Sequence, residues 1–199
     1  VAPSRGLGDV YKRQDIYCEF KGVHGMLKLF TPNYYIHRYT ALRPAFLKEQ
    51  GIQLLICDID NTLVPHDVAV PDDEAIAFLK SIQDAGIQIV FISNNVEERV
   101  ATFAKGLNIP FYPFAMKPLP KTYRKMLKDF HVKRDVVAVL GDQLMTDILG
   151  ANVMRFYTIL TAQVVERDLS FTKVNRVFEN IVFSLLKVTG KLVKGEYDE

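Results

Sequence analysis

Four short stretches of the 199-residue chain carry residue types that can do chemistry together. In Cys57-Asp58-Ile59-Asp60-Asn61-Thr62-Leu63, two aspartates two residues apart leave an apolar run. Residues so spaced on an extended chain rise about 6.6 Å and point the same way, so both carboxylates can face one site. Taken alone, such a pair also serves as a loop cap or as ion-pair partners. Ser93-Asn94-Asn95 sets a hydroxyl, two amides and free backbone N–H groups where a helix begins. That composition is either a phosphate cradle or an ordinary N-cap. Lys117, before Pro118, can neutralise a phosphoryl oxygen or stand in solvent as a loop lysine. Gly141-Asp142 with Asp147 five residues on presents two acids on successive helical turns. They suit a hard divalent cation or, again, a helix cap.

The elements that must position these residues are legible in the hydrophobic pattern. Nearly continuous Ile, Leu and Val runs predict strands over 52–59, 87–92, 111–114, 136–140 and 155–160, as for strands covered by helices on both faces. Helical spacing or caps predict helices over 72–85, 96–106, 120–130 and 144–152. Pro71 followed by Asp72, Asp73 and Glu74 puts acids on a first turn, where they favour the helix dipole. The alternation predicts an α/β fold, a parallel sheet with right-handed crossovers flanked by helices. In such a sheet, reactive groups gather beyond the carboxyl ends of the strands. All four stretches fall there, at successive strand ends, and the shared edge turns four individually ambiguous signals into one site.

Composition limits the alternatives. With 49% hydrophobic and 24% charged residues, and 25 basic against 23 acidic side chains, the chain is neither a histone-like basic binder nor a disordered acidic one, and no nucleic-acid partner is expected. Cys18 and Cys57 cannot build a disulfide framework, and no run of about 18 uncharged apolar residues offers a transmembrane helix. A reducing, cytoplasmic location is expected. Cys57 reads as a small buried strand residue. His66 and His131 lack metal-ligand spacing and read as incidental loop or surface residues.

Asp58-Ile59-Asp60-Asn61-Thr62, Ser93, Lys117 and Gly141-Asp142 with Asp147 resemble motifs one to four of the haloacid dehalogenase superfamily of phosphohydrolases. The chain is most similar to subfamily IIIA phosphatases of the YqeG type, from Met26 to the C-terminal region. Those relatives include mitochondrial and bacterial phosphatidylglycerophosphate phosphatases, whose nucleophile motif similarly reads Asp-x-Asp-Asn-Thr. The resemblance implies a Rossmann-like parallel sheet and a Mg²⁺-dependent phosphomonoester hydrolase. It implies that Asp58 attacks phosphorus to form an aspartyl-phosphate, and that Asp60 protonates the leaving alcohol and then activates water. Thr62, Ser93, Asn94 and Asn95 are expected at the loop and the phosphoryl oxygens, with Lys117 offsetting charge on the moving phosphoryl group. Asp58, Asp142, Asp147 and the backbone carbonyl of Asp60 are expected to hold Mg²⁺.

Many relatives insert a cap domain after the first motif or after the third strand. Here neither interval can contain a separate domain. A capless, open site is expected, suited to a large substrate or one presented on a surface. A phosphorylated substrate, in particular a phospholipid headgroup, follows from the resemblance, with a soluble phosphate ester as the alternative.

Residues 1–25 show no helical or strand period. Asp9 to Gln14 back-translates as GAT GTG TAT AAG AGA CAG, similar to a transposase end sequence used in library preparation, and Lys21-Gly22-Val23 back-translates to a ribosome-binding-site-like AAAGGAGTN before Met26. The expectation is a non-native or disordered leader over 1–25, carrying Cys18 and His24, and a single domain over 26–199. Both flanks of that domain are basic and apolar. Lys28, Arg38, Arg43 and Lys48 interleave with Phe30, Tyr34, Tyr35, Tyr39 and Phe46. Val174, Val177, Phe178, Ile181, Val182, Leu185 and Leu186 form a helical stripe, with Phe183 between Arg176 and Lys187 on the other side. The stripe is expected to cover the core or a subunit interface of a homo-oligomer, with peripheral contact to the inner membrane face as the other reading. Two further classes stand against the enzyme: a non-catalytic protein- or RNA-binding module and a receiver domain that stores an aspartyl-phosphate. The presence of Asp60 beside Asp58, Lys117 and Asp142 argues against both.

Overall fold

The computed structural model describes residues 25–165 and 172–199, with the backbone alone for 172–176. The expected leader, apart from Gly25, therefore lies outside the described residues, as do the side chains of Val174 and Arg176. In chain order the elements are β1 (Tyr34–Ile36), α1 (Pro44–Glu49), β2 (Leu54–Cys57), α2 (Asp73–Asp84), β3 (Gln88–Ile92), α3 (Glu97–Ala104), β4 (Phe111–Tyr112), α4 (Lys121–Asp129), β5 (Val137–Gly141), α5 (Leu149–Met154), β6 (Tyr157–Thr161) and α6 (Thr172–Val188). The six strands form one all-parallel sheet in the order β1-β6-β5-β2-β3-β4. The expected α/β architecture is therefore present.

The continuous apolar runs are explained by burial on both faces. Leu55, Cys57, Ile89, Phe91, Ala138 and Leu140 share one core with Phe78, Leu79 and Ile82 of α2 and Val100 and Phe103 of α3. Their chain neighbours Leu54, Ile56, Val90, Ile92, Val137 and Val139 pack against Tyr123 and Met126 of α4 and Ala151 and Met154 of α5. Successive strand residues thus enter opposite layers, and neither layer tolerates a polar residue. In register, Cys57 lies between Phe91 and Leu140. The residues that follow β2, β3 and β5 therefore emerge on one edge. α2 starts where Asp72 accepts a hydrogen bond from the Ala75 amide, 2.8 Å, with Asp73 and Glu74 in its first turn.

The structure differs from the sequence expectation in three places. The basic, aromatic N-terminal flank supplies an edge strand, β1, paired with β6. Its rings are core: Tyr34 stacks on Phe46 at 4.5 Å, and Tyr39 meets Phe78 edge-on at 5.1 Å. The third expected strand stops at Tyr112, because Phe114 and Met116 take left-handed φ values of 47° and 54°. That turn brings the Phe114 and Ala115 amides onto the Asn95 and Ser93 carbonyls at 2.9 and 3.0 Å. The last helix, finally, turns a different face inward. Val182 and Leu186 are buried and Phe183 is half-buried beside Leu27, Tyr35, Leu144 and Leu160, whereas Val177, Phe178, Ile181 and Leu185 are exposed. Glu179 sets this rotation by accepting a hydrogen bond from the Leu144 amide at 2.9 Å. Residues 179, 182, 183 and 186 then form one inward line at helical spacing.

Candidate active site

Four loops at the carboxyl edge of the sheet build the site. β2 ends at Cys57, and Asp58 continues the pairing through its amide to the Leu140 carbonyl at 3.0 Å. The chain then turns: Asn61 has φ 63°, and the Thr62 and Leu63 amides return to the Ile59 carbonyl. After β5, Gly141 leads into Asp142 and a π-helical turn over Leu144–Ile148. A Cβ on Gly141 would lie 2.4 Å from Asp147 Cγ, so only glycine lets the Asp147 side chain fold back against the strand end.

Asp58, Asp142 and Asp147 are all buried, and ligand oxygens from the three lie within 4.8 Å of one another. Lys117 Nζ, also buried, donates to Asp58 Oδ1 at 2.5 Å and to Asp147 Oδ1 at 2.7 Å. The Thr62 hydroxyl stands 3.1 Å from Asp58 Oδ2 and 3.0 Å from Asp142 Oδ1. Asp142 Oδ2 accepts from Gln163 Nε2 at 2.8 Å, and Asp147 Oδ2 from the Gln143 amide at 3.2 Å. Asp60 lies farther out, with Oδ1 accepting from Arg99 Nη2 at 2.8 Å and Oδ2 from Asn95 Nδ2 at 3.2 Å. Both oxygens of each of these four carboxylates are therefore engaged.

The electrostatics are those of a crowded anionic pocket. Burial, then the charges of Asp58 and Asp147, push Asp142 well above the usual carboxylate range. Burial also raises Asp147, to about 6, against the pull of Lys117. Burial disfavours charge on Lys117, but Asp147 and Asp58 outweigh it and keep the amine protonated. One ammonium thus faces three carboxylates, and the single hydroxyl proton of Thr62 cannot fully serve two acceptors. A divalent cation fits this donor set: three carboxylates from separate turns, converging and short of positive charge.

Ser93, Asn94 and Asn95 line an open cleft of about 880 Å³ above this floor, together with Asp58, Asp60 and Lys117. Ser93, at the end of β3, accepts from the Asn95 amide at 3.1 Å. Asn94, expected at a phosphoryl oxygen, clamps the backbone of Lys117, receiving its amide at 2.6 Å and donating to its carbonyl at 3.2 Å. Thr62, expected near the substrate, stands fully buried behind the carboxylates. Sequence reasoning missed Arg99, Gln163, Gln143 and Thr146. Arg99 sits one helical turn beyond Asn95, and Gln163 is the first long polar residue after β6, the strand beside β5. Those positions were the available signals, but both residues have ordinary surface composition.

A family model described as haloacid dehalogenase-like hydrolase matches residues 34–154. Probable phosphatase YqeG from Bacillus subtilis (strain 168) is 34% identical over 165 residues, covering 83% of this chain and 96% of that protein. The chain belongs to the haloacid dehalogenase-like hydrolases. The residues that carried this resemblance are brought together at the carboxyl edge of the sheet, and the relative bears a phosphatase name, as expected. Among solved structures, the cobalt-bound form of the deoxy-D-mannose-octulosonate 8-phosphate phosphatase from Haemophilus influenzae shares the fold. It is 18% identical with a TM-score of 0.50, over 72% of this chain and 92% of that one.

Proposed function

We propose that this haloacid dehalogenase-like hydrolase is a Mg²⁺-dependent phosphomonoesterase working through an aspartyl-phosphate on Asp58. The observation that carries the reading is Lys117 Nζ, hydrogen-bonded to both Asp58 and Asp147 on the floor of an open cleft. A lysine so placed fixes the Asp58 carboxylate and stands ready for the equatorial oxygens of a phosphoryl group. Asp58 forms a bond to phosphorus as the ester oxygen departs with a proton from Asp60. Water, giving its proton to Asp60, then attacks the phosphorus, releasing phosphate and restoring Asp58. Ser93 and the amides that follow β3 bind phosphoryl oxygens, and Asn94 supports this step by holding the Lys117 backbone.

Asp58, Asp142, Asp147 and the Asp60 carbonyl would hold the magnesium. When bound, the ion offsets the repulsion between an anionic carboxylate and an anionic phosphate, roughly 4 kcal/mol per charge pair at about 4 Å and intermediate dielectric. Thr62 and Gln163 orient Asp142 from behind, the outer-shell role that hydrogen-bonded ligands need.

For the substrate, we propose a membrane-borne phosphatidylglycerophosphate headgroup reached by a cytoplasmic enzyme at the inner membrane face. Val96, which lines the cleft, is exposed, and so are Phe114, Met116 and Leu119 in the segments around Asn95 and Lys117. The outward apolar face of α6 adds surface of the same kind. Among the described residues no helix is long and apolar enough to cross a membrane, so such contact would be peripheral. A panel of phosphate esters and phosphatidylglycerophosphate in mixed micelles, assayed with and without Mg²⁺, tests this function, with vesicle flotation at low and high salt for the location. Mg²⁺-dependent release from the lipid is expected. Release from soluble esters alone, without flotation, contradicts the lipid reading and leaves the phosphatase one.

A further inference from the structure

Arg99 grips Asp60 with one nitrogen while its guanidinium is itself anchored on two other sides. Nη2 donates to Asp60 Oδ1 at 2.8 Å, and Nη1 to the Ala69 carbonyl at 3.0 Å. The plane also lies 5.8 Å from the centroid of the Phe103 ring, one turn farther along α3. The Arg99 side chain is 13% exposed and the Asp60 side chain 19%, so the pair is partly withdrawn from solvent at the cleft wall. On the other carboxylate oxygen, Asn95 Nδ2 donates at 3.2 Å, while Asn95 Oδ1 accepts from the Val96 amide at 2.8 Å. Asp60 is therefore aimed by Asn95, just ahead of α3, and by Arg99 in the first turn of α3, although it belongs to the loop after β2.

We infer that Arg99 is the positioning residue of the acid/base step. The inference rests on the proposed reading that Asp60 protonates the leaving oxygen. A general acid must meet the departing atom within hydrogen-bond reach, and a carboxylate on a loop has freedom that this step cannot use. Arg99 removes that freedom by joining three segments in one rigid fork: the loop carrying Asp60, the Ala69 backbone ahead of α2, and α3 itself. Lysine, with one compact ammonium, cannot reproduce the two-nitrogen grip. A merely structural clamp would have the same contacts but would lower the rate for every substrate alike. An aiming role shows itself only where the leaving group needs the proton.

The test is kcat/KM with saturating Mg²⁺ for an alkyl phosphate and for p-nitrophenyl phosphate, whose phenolate leaves without much protonation. This parameter reports the step in which the leaving group departs. Arg99→Met is expected to lower the alkyl value by about 10- to 100-fold, the scale of a misplaced catalytic group, and the aryl value by less than about threefold. Arg99→Lys, which keeps the charge should the first variant fold poorly, is expected to lose about 3- to 10-fold on the alkyl ester alone. Asp60→Asn serves as the reference and should show the same selectivity, more strongly. In the double variant the loss should equal that of Asp60→Asn, because Arg99 acts through Asp60. Equal losses on both esters in the Arg99 variants, or an additive double variant, overturn the positioning role while Asp60→Asn remains selective. An Asp60→Asn variant that slows both esters equally overturns the acid role of Asp60 and the inference with it.

Discussion

Thr62 and Asp142, eighty residues apart in the chain, meet with Thr62 Oγ1 3.0 Å from Asp142 Oδ1. The same hydroxyl lies 3.1 Å from Asp58 Oδ2, so one side chain ties the strand end that carries the proposed nucleophile to the strand end that carries an expected metal ligand. Thr62→Val removes the hydroxyl with little change of shape. It is expected to weaken Mg²⁺ binding by about 10- to 100-fold, the usual scale for losing an outer-shell partner. Isothermal titration checks it, and unchanged affinity would show that Thr62 only fills space.

The buried acids predict an unusual pH dependence for the metal-free protein. Asp147 rises from an ordinary carboxylate value of 3.8 to about 6 in the fold, chiefly through burial. The folded state therefore binds more protons than the unfolded one across that interval, and stability falls as pH rises through it. Asp142, shifted in the same direction, carries the loss to higher pH. With EDTA, Tm should decline between about pH 5 and about pH 7, where exposed carboxylates are already ionised. Added Mg²⁺ competes with those protons, so the gap between the two Tm curves should widen with pH. Parallel curves would contradict this.

Asp142→Asn should raise the Tm of the metal-free protein while abolishing its response to Mg²⁺. At a pH where the Asp142 carboxyl has ionised, the amide removes one of three crowded negative charges, and it can donate to Thr62, whose proton is then free for Asp58. Relief of this repulsion outweighs the lost carboxylate in the metal-free state. Thermal melts with and without Mg²⁺ measure both effects, and a lower metal-free Tm would count against the anionic-crowding argument.

Gly141→Ala places a Cβ 2.4 Å from Asp147 Cγ and 2.5 Å from its Oδ2. Asp147 cannot swing away freely, because Lys117 and the Gln143 amide hold its two oxygens. The variant is expected to lose about 1–3 kcal/mol of stability, the usual range for overpacking, together with most Mg²⁺ affinity. Denaturant titration and calorimetry read the two losses.

Much of this site was legible because its residues stand where buried strands end. Asp58, Ser93 and Asp142 each interrupt an apolar run, and the parallel register makes such interruptions converge. What was not legible comes from tertiary contacts that leave no period behind. Arg99 reads as one more charged residue in a surface helix until the fold sets it against Asp60. Tyr34-Tyr35-Ile36 is too short for a strand signal, and only pairing with β6 defines it. The apolar arc of α6 is wider than the core can cover, so sequence cannot say which half turns inward; the Glu179 contact to the Leu144 amide decides. Asn94 has the composition of a phosphate cradle, and its use on the Lys117 backbone is visible only once the two loops are side by side.

If Asp58 is phosphorylated during turnover, acid-quenched trapping of the enzyme during Mg²⁺-dependent hydrolysis of a radiolabelled phosphate ester captures the covalent intermediate. The expected result is label on the peptide containing Asp58, chased out by unlabelled substrate and absent from Asp58→Asn, which should fold but not turn over. Wild-type Mg²⁺-dependent activity in Asp58→Asn, or label on a different residue, would contradict it.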